Sequence, residues 1–537
     1  MRRIFRYFFA VLLAAAAIDG AASAYSTPAK GLATPTKTLA TPTKAPVVQI
    51  ESGQVRGLEA DGVVSFKGIP YAAPPVGKLR WRPPQTAKHW SGVRDATKFG
   101  PECMQTTEEL PKSEDCLTLN ILRPATSATQ LPVMVWIYGG ANVHGQTSLY
   151  PAGDALAKQG VVFVSMNYRM GRFGFFAHPA LLAETPNEPH GDYGHMDQRS
   201  ALQWVQRNIA AFGGNPKAVT IFGQSSGGGS VMVHLTSPLS RGLFQRAIMQ
   251  SPGSPAARAK VFKLTELSDA EKMAVDYARS LGITAEGPAA LAALRALPAE
   301  KLVEGTDHEA ALAAIATGKH IIGVAGSIRD GKLVVEAPEV ALAAGREAKV
   351  PVMIGTTDRD LALGSAADKD ELFAIFGAHA VQARKLYDPQ GDQTLDELKQ
   401  QVFADSSETE PARHLADEVV RAGHPVYFYR FSYVADSTRG KQEGALHSSE
   451  IPYVFNIPAE VVGDKVTGDD RKMGELASAY WVSFAKTGDP NGANRPQWPR
   501  HDPAVDKVID FTNNGVVVGP DPLKSRLDLW RKVWSQN

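Results

Sequence analysis

The chain has 537 residues, more than one ordinary core carries, which calls for two domains or for one large domain with insertions. Its 44% hydrophobic and 21% charged residues are ordinary for a soluble globular protein. With 57 Lys+Arg against 56 Asp+Glu the formal charge is +1, so nothing in the balance favours nucleic acid or an anionic membrane surface as a partner.

The N-terminus reads as a signal peptide over residues 1–24. Arg2, Arg3 and Arg6 form a basic start, residues 7–18 are apolar, and Ala22-Ser23-Ala24 is a small-residue cleavage site, which puts the mature start at Tyr25. The apolar run is too short to span a bilayer comfortably. Residues 25–46 are expected to be a disordered Pro/Thr-rich linker. Ala33-Thr34-Pro35-Thr36-Lys37 recurs as Ala40-Thr41-Pro42-Thr43-Lys44, and such a composition cannot bury a core. The folded domain is expected over 47–537.

In that domain, residues 47–50, 53–57 and 63–66 read as short strands of an antiparallel edge, and the proline-rich stretch 71–84 as irregular. Cys103 and Cys116 are the chain's two cysteines. An exported chain meets an oxidising compartment, so one short-loop disulfide is expected. Two cysteines without a histidine pair nearby do not make a zinc site.

Continuous apolar runs follow at 133–138, 161–166, 218–222, 247–250, 351–354 and 426–431, alternating with helical patterns such as 198–212. That rhythm means a mostly parallel sheet covered on both faces. Residues 255–345 and 365–420 are helical and break the rhythm. They read as cap insertions of one large α/β domain over the carboxyl edge of the sheet.

The third of the six runs leads into Gly223-Gln224-Ser225-Ser226-Gly227, and a small-residue helical segment leads out. Strand, sharp turn and helix is the context in which G-x-S-x-G lifts a serine hydroxyl clear of a sheet. Only small residues two places either side of the serine fit so tight a turn, which selects Ser225 over Ser226, whose minus-two neighbour is Gln224. A serine nucleophile needs a base, and the base needs an orienting acid.

Working groups of open parallel sheets sit at the carboxyl ends of strands. That rule rejects His379, His414, His424 and His501 and selects His447, which follows run 426–431. The acid should follow run 351–354, where Asp358 and Asp360 are nearly even by spacing. Oxyanion donors are expected from the backbone of Ser226 and of the loop Gly139-Gly140-Ala141.

With these residues placed, the chain resembles the type-B carboxylesterase/cholinesterase family of α/β-hydrolases. The likeness runs from about Val47 to the C-terminus. It is carried by Phe66-Lys67-Gly68-Ile69-Pro70-Tyr71-Ala72, Ser113-Glu114-Asp115-Cys116-Leu117, Asn167-Tyr168-Arg169, Gly191-Asp192-Tyr193-Gly194, Ala211-Phe212-Gly213-Gly214-Asn215-Pro216, the segment 220–228, and His447-Ser448-Ser449-Glu450-Ile451-Pro452.

The resemblance implies an α/β-hydrolase fold and hydrolysis of small-molecule carboxylic esters by Ser225, His447 and Asp360. It also implies oxyanion donors at Gly140, Ala141 and Ser226, a Cys103–Cys116 disulfide, and no cofactor or metal. The family's usual residue before the nucleophile is Glu, and here it is Gln224. Its third oxyanion glycine is Ala141, its following aromatic is Asn142, and its usual acid is a Glu where this chain has the shorter Asp360. A non-catalytic adhesion-type member and an amidase using the same triad are the rival readings. A secreted or periplasmic location is expected, with no membrane association after signal cleavage.

Overall fold

The computed structural model describes residues 45–107, 111–149, 153–253 and 264–536. The expected signal peptide, and all but the last two residues of the expected linker, lie outside the described residues.

One sheet of 11 strands organises the molecule. Its spatial order is Gly515–Pro520, Lys507–Thr512, Val426–Phe431, Val352–Thr357, Arg246–Gln250, Gly214–Gln224, Leu131–Ile137, Val162–Met166, Thr118–Pro124, Val63–Pro70 and Leu58–Ala60. From Lys507–Thr512 across to Val162–Met166 every pairing is parallel; the pairings at both edges are antiparallel. The central strands are buried along almost their whole length, which explains their unbroken apolar sequence.

The N-terminal edge departs from expectation. Val47–Ile50 and Gly53–Arg56 leave the main sheet and form a separate three-stranded sheet with Val93–Asp95. Each of the first two buries a single residue, Ile50 and Val55, so neither has the second apolar face that the large sheet demands. Of the three expected edge strands, Val63–Pro70 alone joins the large sheet. Thr118–Pro124, the hairpin Lys507–Thr512 with Gly515–Pro520, and the 20-residue helix Gly468–Thr487 were not anticipated. The expected helix 198–212 starts earlier, as Tyr193–Asn208, and ends in a 3-10 turn closed by Gly213 at φ 80°.

Both insertions are helical and fall where the reading put them. Leu267–Ser280, Gly287–Arg295, His308–Ala316 and Pro338–Ala343 lie between strands Arg246–Gln250 and Val352–Thr357. Lys369–Ala374, Ala380–Tyr387, Leu395–Ala404 and Glu410–Arg421 lie between Val352–Thr357 and Val426–Phe431. The first insertion closes its own core around Trp81, Phe176, Tyr277 and Leu294; the second closes one around Phe376, Tyr387, Leu398 and Trp530.

Beneath the strand that ends at Ser225, four fully or almost fully buried aromatics interlock. The Trp136 and Phe222 rings lie 4.8 Å apart, Phe163 and Phe455 5.7 Å, and Phe222 and Phe455 5.9 Å. Burying each ring contributes about 1.5–3 kcal/mol. Phe455 follows the short helix Ile451–Val454, so this cluster ties the segment just after His447 to the strand that carries Ser225. The disulfide Cys103–Cys116 closes a loop just before strand Thr118–Pro124, with its Cα atoms 5.0 Å apart.

Candidate active site

Ser225 sits between strand Gly214–Gln224 and helix Ser226–Thr236 with φ 58° and ψ −132°, a conformation that costs a non-glycine residue about 1–3 kcal/mol. Its amide donates to the Gln250 carbonyl (2.9 Å), and its own carbonyl accepts from Gly229 (2.9 Å), so the kink is held from both sides. The flanking glycines are sterically required. A Cβ on Gly223 would meet the Gly227 carbonyl oxygen at 2.5 Å, and one on Gly227 would meet the Ile137 carbonyl oxygen at 2.2 Å.

The loop after Leu131–Ile137 passes directly over this turn. A Cβ on Gly139 would lie 2.4 Å from the Gln224 carbonyl oxygen and 2.9 Å from Ser225 Cβ. Gly140, Ala141 and Asn142 all have positive φ, at 115°, 54° and 60°. The loop is tied down by Asn142 N–H donating to Ser226 Oγ (3.3 Å) and by the Asn142 carbonyl accepting from Gly171 (2.7 Å). Behind it Tyr138 stacks on Tyr168 at 4.5 Å, and the Tyr168 hydroxyl donates to the Tyr138 carbonyl (2.7 Å). Gly140, Ala141 and Ser226 therefore share one rim beside Ser225.

His447 comes to the same place from a loop after strand Val426–Phe431. Its Nδ1 is hydrogen-bonded to Asp360 Oδ1. Asp360 is buried and fully saturated. Its Oδ2 accepts from Ser251 Oγ (2.6 Å) and Thr357 N (2.9 Å), and its Oδ1 accepts from Leu361 N (2.7 Å) as well as from the imidazole. Burial pushes the Asp360 carboxyl up, but the His447 charge and these hydrogen bonds outweigh it and hold it below the usual value. Burial likewise pulls His447 down, and the Asp360 charge overcomes that, leaving the imidazole above its ordinary value.

The two acids that spacing left even have different partners. Asp358 Oδ1 accepts from Ala445 N (2.6 Å), while Arg359 N donates to the Ala445 carbonyl (3.0 Å). Asp358 thus pins the loop that carries His447, and Asp360 meets the ring. Burial raises Asp358 to about 6. His424 and His501, rejected on topology, are bonded to Glu347 (2.8 Å) and Asp417 (2.7 Å).

With the Nδ1 hydrogen given to Asp360, His447 Nε2 presents a lone pair, and the Gln224 amide nitrogen lies 3.1 Å from it. Sequence reasoning gave Gln224 no contact. It also missed Ser251, Glu408, Glu450 and His308. Ser251 follows the end of strand Arg246–Gln250, so the carboxyl-end rule could have found it. Glu450 is fully buried, accepts from Gln250 Nε2 (3.0 Å), and is raised to about 7 chiefly by burial. Glu408 lies in a π-helical turn, Asp405–Thr409, that nothing in the sequence announces. His308, on the cap helix, faces His144 on the oxyanion-side loop with ring centroids 5.9 Å apart; burial, then the neighbouring His144 and His447, bring it down to about 4.

A cavity of about 120 Å³ opens from Asn142 and Ser226. Its walls are mostly apolar, with Met232 and Val233 from the helix after Ser225 and Ala311, Ala314 and Ile315 from the cap. Such a volume has room for several water-sized groups, the scale of a short acyl or alkyl chain. The arrangement can orient an imidazole as a general base beside a strained serine, with backbone amides and an apolar recess alongside. Asp360, Glu408 and His447 also bring atoms of ligand type within 4.8 Å of one another, but Asp360 and His447 already engage each other.

A family model described as the Carboxylesterase family matches residues 44–385 and 377–530. The fumonisin B1 esterase of Sphingopyxis macrogoltabida is 37% identical over 473 residues, covering 84% of this chain and 83% of that protein. The cocaine esterase of Oryctolagus cuniculus is 32% identical over 547 residues, covering 92% of this chain and 96% of that one. A solved PNB esterase superposes with a TM-score of 0.77 at 30% identity, over 90% of this chain and 99% of the other.

Proposed function

The chain belongs to the carboxylesterase family, with the α/β-hydrolase fold and the activity of a carboxylic ester hydrolase, and from that premise we propose that it is an exported serine esterase working through an acyl-enzyme. Ser225 Oγ attacks the ester carbonyl while His447 Nε2 takes its proton. The developing oxyanion is met by backbone N–H groups of Gly140, Ala141 and Ser226. His447 returns the proton to the leaving alcohol, and Asp360 holds the ring and stabilises the imidazolium throughout. Water then attacks the acyl carbonyl while His447 takes its proton, and the imidazolium returns that proton to Ser225 Oγ as the acyl-enzyme breaks down to a carboxylic acid and free Ser225.

The observation that carries this reading is the Asp360–His447 hydrogen bond beside the left-handed backbone of Ser225. The saturated carboxylate supports it further, since four donors keep Asp360 ionised and pointed at Nδ1. The apolar cavity supports a small ester with a short acyl chain as substrate.

The test is Ser225→Ala. It is expected to lower turnover of p-nitrophenyl acetate by several orders of magnitude and to abolish labelling by a fluorophosphonate probe. Wild-type turnover in that variant would refute the assignment. Matched ester and amide substrates separate an esterase from an amidase.

Export rests on the sequence of residues 1–24 and agrees with an oxidised Cys103–Cys116 pair. Residues 25–46 would then tether the hydrolase domain 47–537 to its new N-terminus. N-terminal sequencing of the secreted or periplasmic protein is expected to begin at Tyr25; a chain still beginning at Met1 would refute export by cleavage.

A further inference from the structure

Glu408 has no part in the mechanism above, yet it stands beside its centre. Its side chain is wholly buried, and one of its oxygens lies within 4.8 Å of the Asp360 and His447 atoms that face it. The π-helical turn Asp405–Thr409, between helices Leu395–Ala404 and Glu410–Arg421, puts it there. Such turns interrupt a helix at some cost and are concentrated at functional sites. Oε2 accepts from Gly253 N (2.8 Å), and Oε1 has no hydrogen-bond partner among the described residues.

The surroundings decide the charge that Glu408 can carry. Asp360 faces it from the loop after Val352–Thr357, and Glu450 from the turn before Ile451–Val454. Tyr429, whose hydroxyl is buried and has no hydrogen-bond partner among the described residues, faces Asp360 and Glu450 from strand Val426–Phe431. His447 is already paired with Asp360, and His308 interacts with His144, His447 and Asp307 rather than with Glu408. Glu408 has no arginine or lysine partner among the described residues. An ionised Glu408 would add a second buried carboxylate beside Asp360 with one donor to satisfy it, and two carboxylates sharing a buried site do not both ionise. Asp360 has three donors besides the imidazole, so the negative charge belongs to Asp360.

We propose that Glu408 is a positioning residue that stands behind the Asp360–His447 pair as a neutral carboxylic acid. It fixes Gly253, and so the segment whose Ser251 hydroxyl holds Asp360, while keeping a second negative charge away from the base. Burial drives its proton affinity in the same direction, and the nearby Asp360 charge reinforces that. The proposal rests on the Ser225, His447 and Asp360 reading and adds to it the reason why His447 answers to one carboxylate and not two.

The test compares Glu408→Gln, an uncharged mimic of the protonated acid, with Glu408→Ala. The acid limb of the kcat/KM profile is expected to keep its midpoint in Glu408→Gln, and infrared difference spectra are expected to lose one protonated-carboxyl C=O band. Glu408→Ala is expected to lower kcat about tenfold with KM little changed, and Glu408→Gln to recover most of that loss. A unit charge about 5 Å from the imidazole moves its midpoint by about two pH units at an effective dielectric of about 20. A fall of that size in Glu408→Gln, or no lost infrared band, would mean that Glu408 is ionised and would overturn the proposal. So would wild-type kcat in Glu408→Ala. Ser225→Ala measured alongside separates the two layers: if it is inactive, a shifted Glu408→Gln profile overturns the role of Glu408 alone, and if it is active, the triad reading falls as well.

Discussion

The Gln224 amide nitrogen lies 3.1 Å from Nε2 of His447, the nitrogen that must receive the serine proton on the proposed mechanism. The residue next to the nucleophile therefore competes with Ser225 for one lone pair, and does so without a charge.

Replacing that amide by a carboxylate tests what its neutrality contributes. Asp360 already holds His447 above its ordinary value near 6.5, and the base works only when deprotonated, so activity is expected to fall as pH drops through that raised value. Gln224→Glu adds a second negative neighbour and favours the imidazolium further. The acid limb is expected to move up by about one to two pH units, with activity near pH 6 falling about tenfold or more. A pH–rate profile checks the direction; a limb moving to lower pH would contradict it.

Asp358 and Asp360 make a paired experiment. Asp360→Asn keeps the shape of the side chain but favours the wrong imidazole tautomer, and kcat is expected to drop by about 10⁴ with KM little altered. Asp358→Asn can still accept from Ala445 N, so kcat is expected to fall by less than about tenfold. Steady-state kinetics on the two variants distinguishes the ring-orienting acid from the loop-pinning one.

The glycines of the elbow predict a sharp contrast two residues apart. Gly227→Ala forces a Cβ to 2.2 Å from the Ile137 carbonyl oxygen, and overpacking of that kind costs about 1–3 kcal/mol. Since the displaced backbone lies against the turn that carries Ser225, fluorophosphonate labelling is expected to be lost. A Cβ on Gly229 meets nothing nearer than the Pro252 carbonyl oxygen at 3.4 Å, so Gly229→Ala is expected to stay folded and to label. Thermal melts with active-site labelling read both.

The cavity beside Ser226 gives a selectivity prediction. Ala314→Phe fills it from the cap side without touching Ser225, His447 or Asp360. The kcat/KM for butyrate and longer p-nitrophenyl esters is expected to fall about 10–200-fold relative to acetate, the range that small changes in an apolar pocket produce. Equal losses for all chain lengths would place the acyl group elsewhere.

Much of this was legible beforehand, and the reasons are local. The G-x-S-x-G turn is readable because only glycine tolerates the backbone contacts at 223 and 227. The parallel strands are readable because burial on both faces leaves no polar alternation. Topology alone singled out His447, whose ring the structure pairs with Asp360. What stayed hidden depends on side chains meeting across long separations: Ser251 on Asp360, Gln224 on His447, and Glu408 carried in by a π-turn whose residues, Asp405 to Thr409, look like any polar helix. The first two strands were read correctly as short antiparallel strands but pair outside the large sheet, because short half-exposed strands do not declare which sheet they join.

The interlocked rings of Trp136, Phe163, Phe222 and Phe455 give the segments that carry Ser225 and His447 a single foundation. Residues 225 and 447, although far apart in the polypeptide, rest on one slab and cannot drift independently of it. Heat inactivation should consequently coincide with collapse of the whole domain, with no warm interval in which a folded molecule has lost its chemistry.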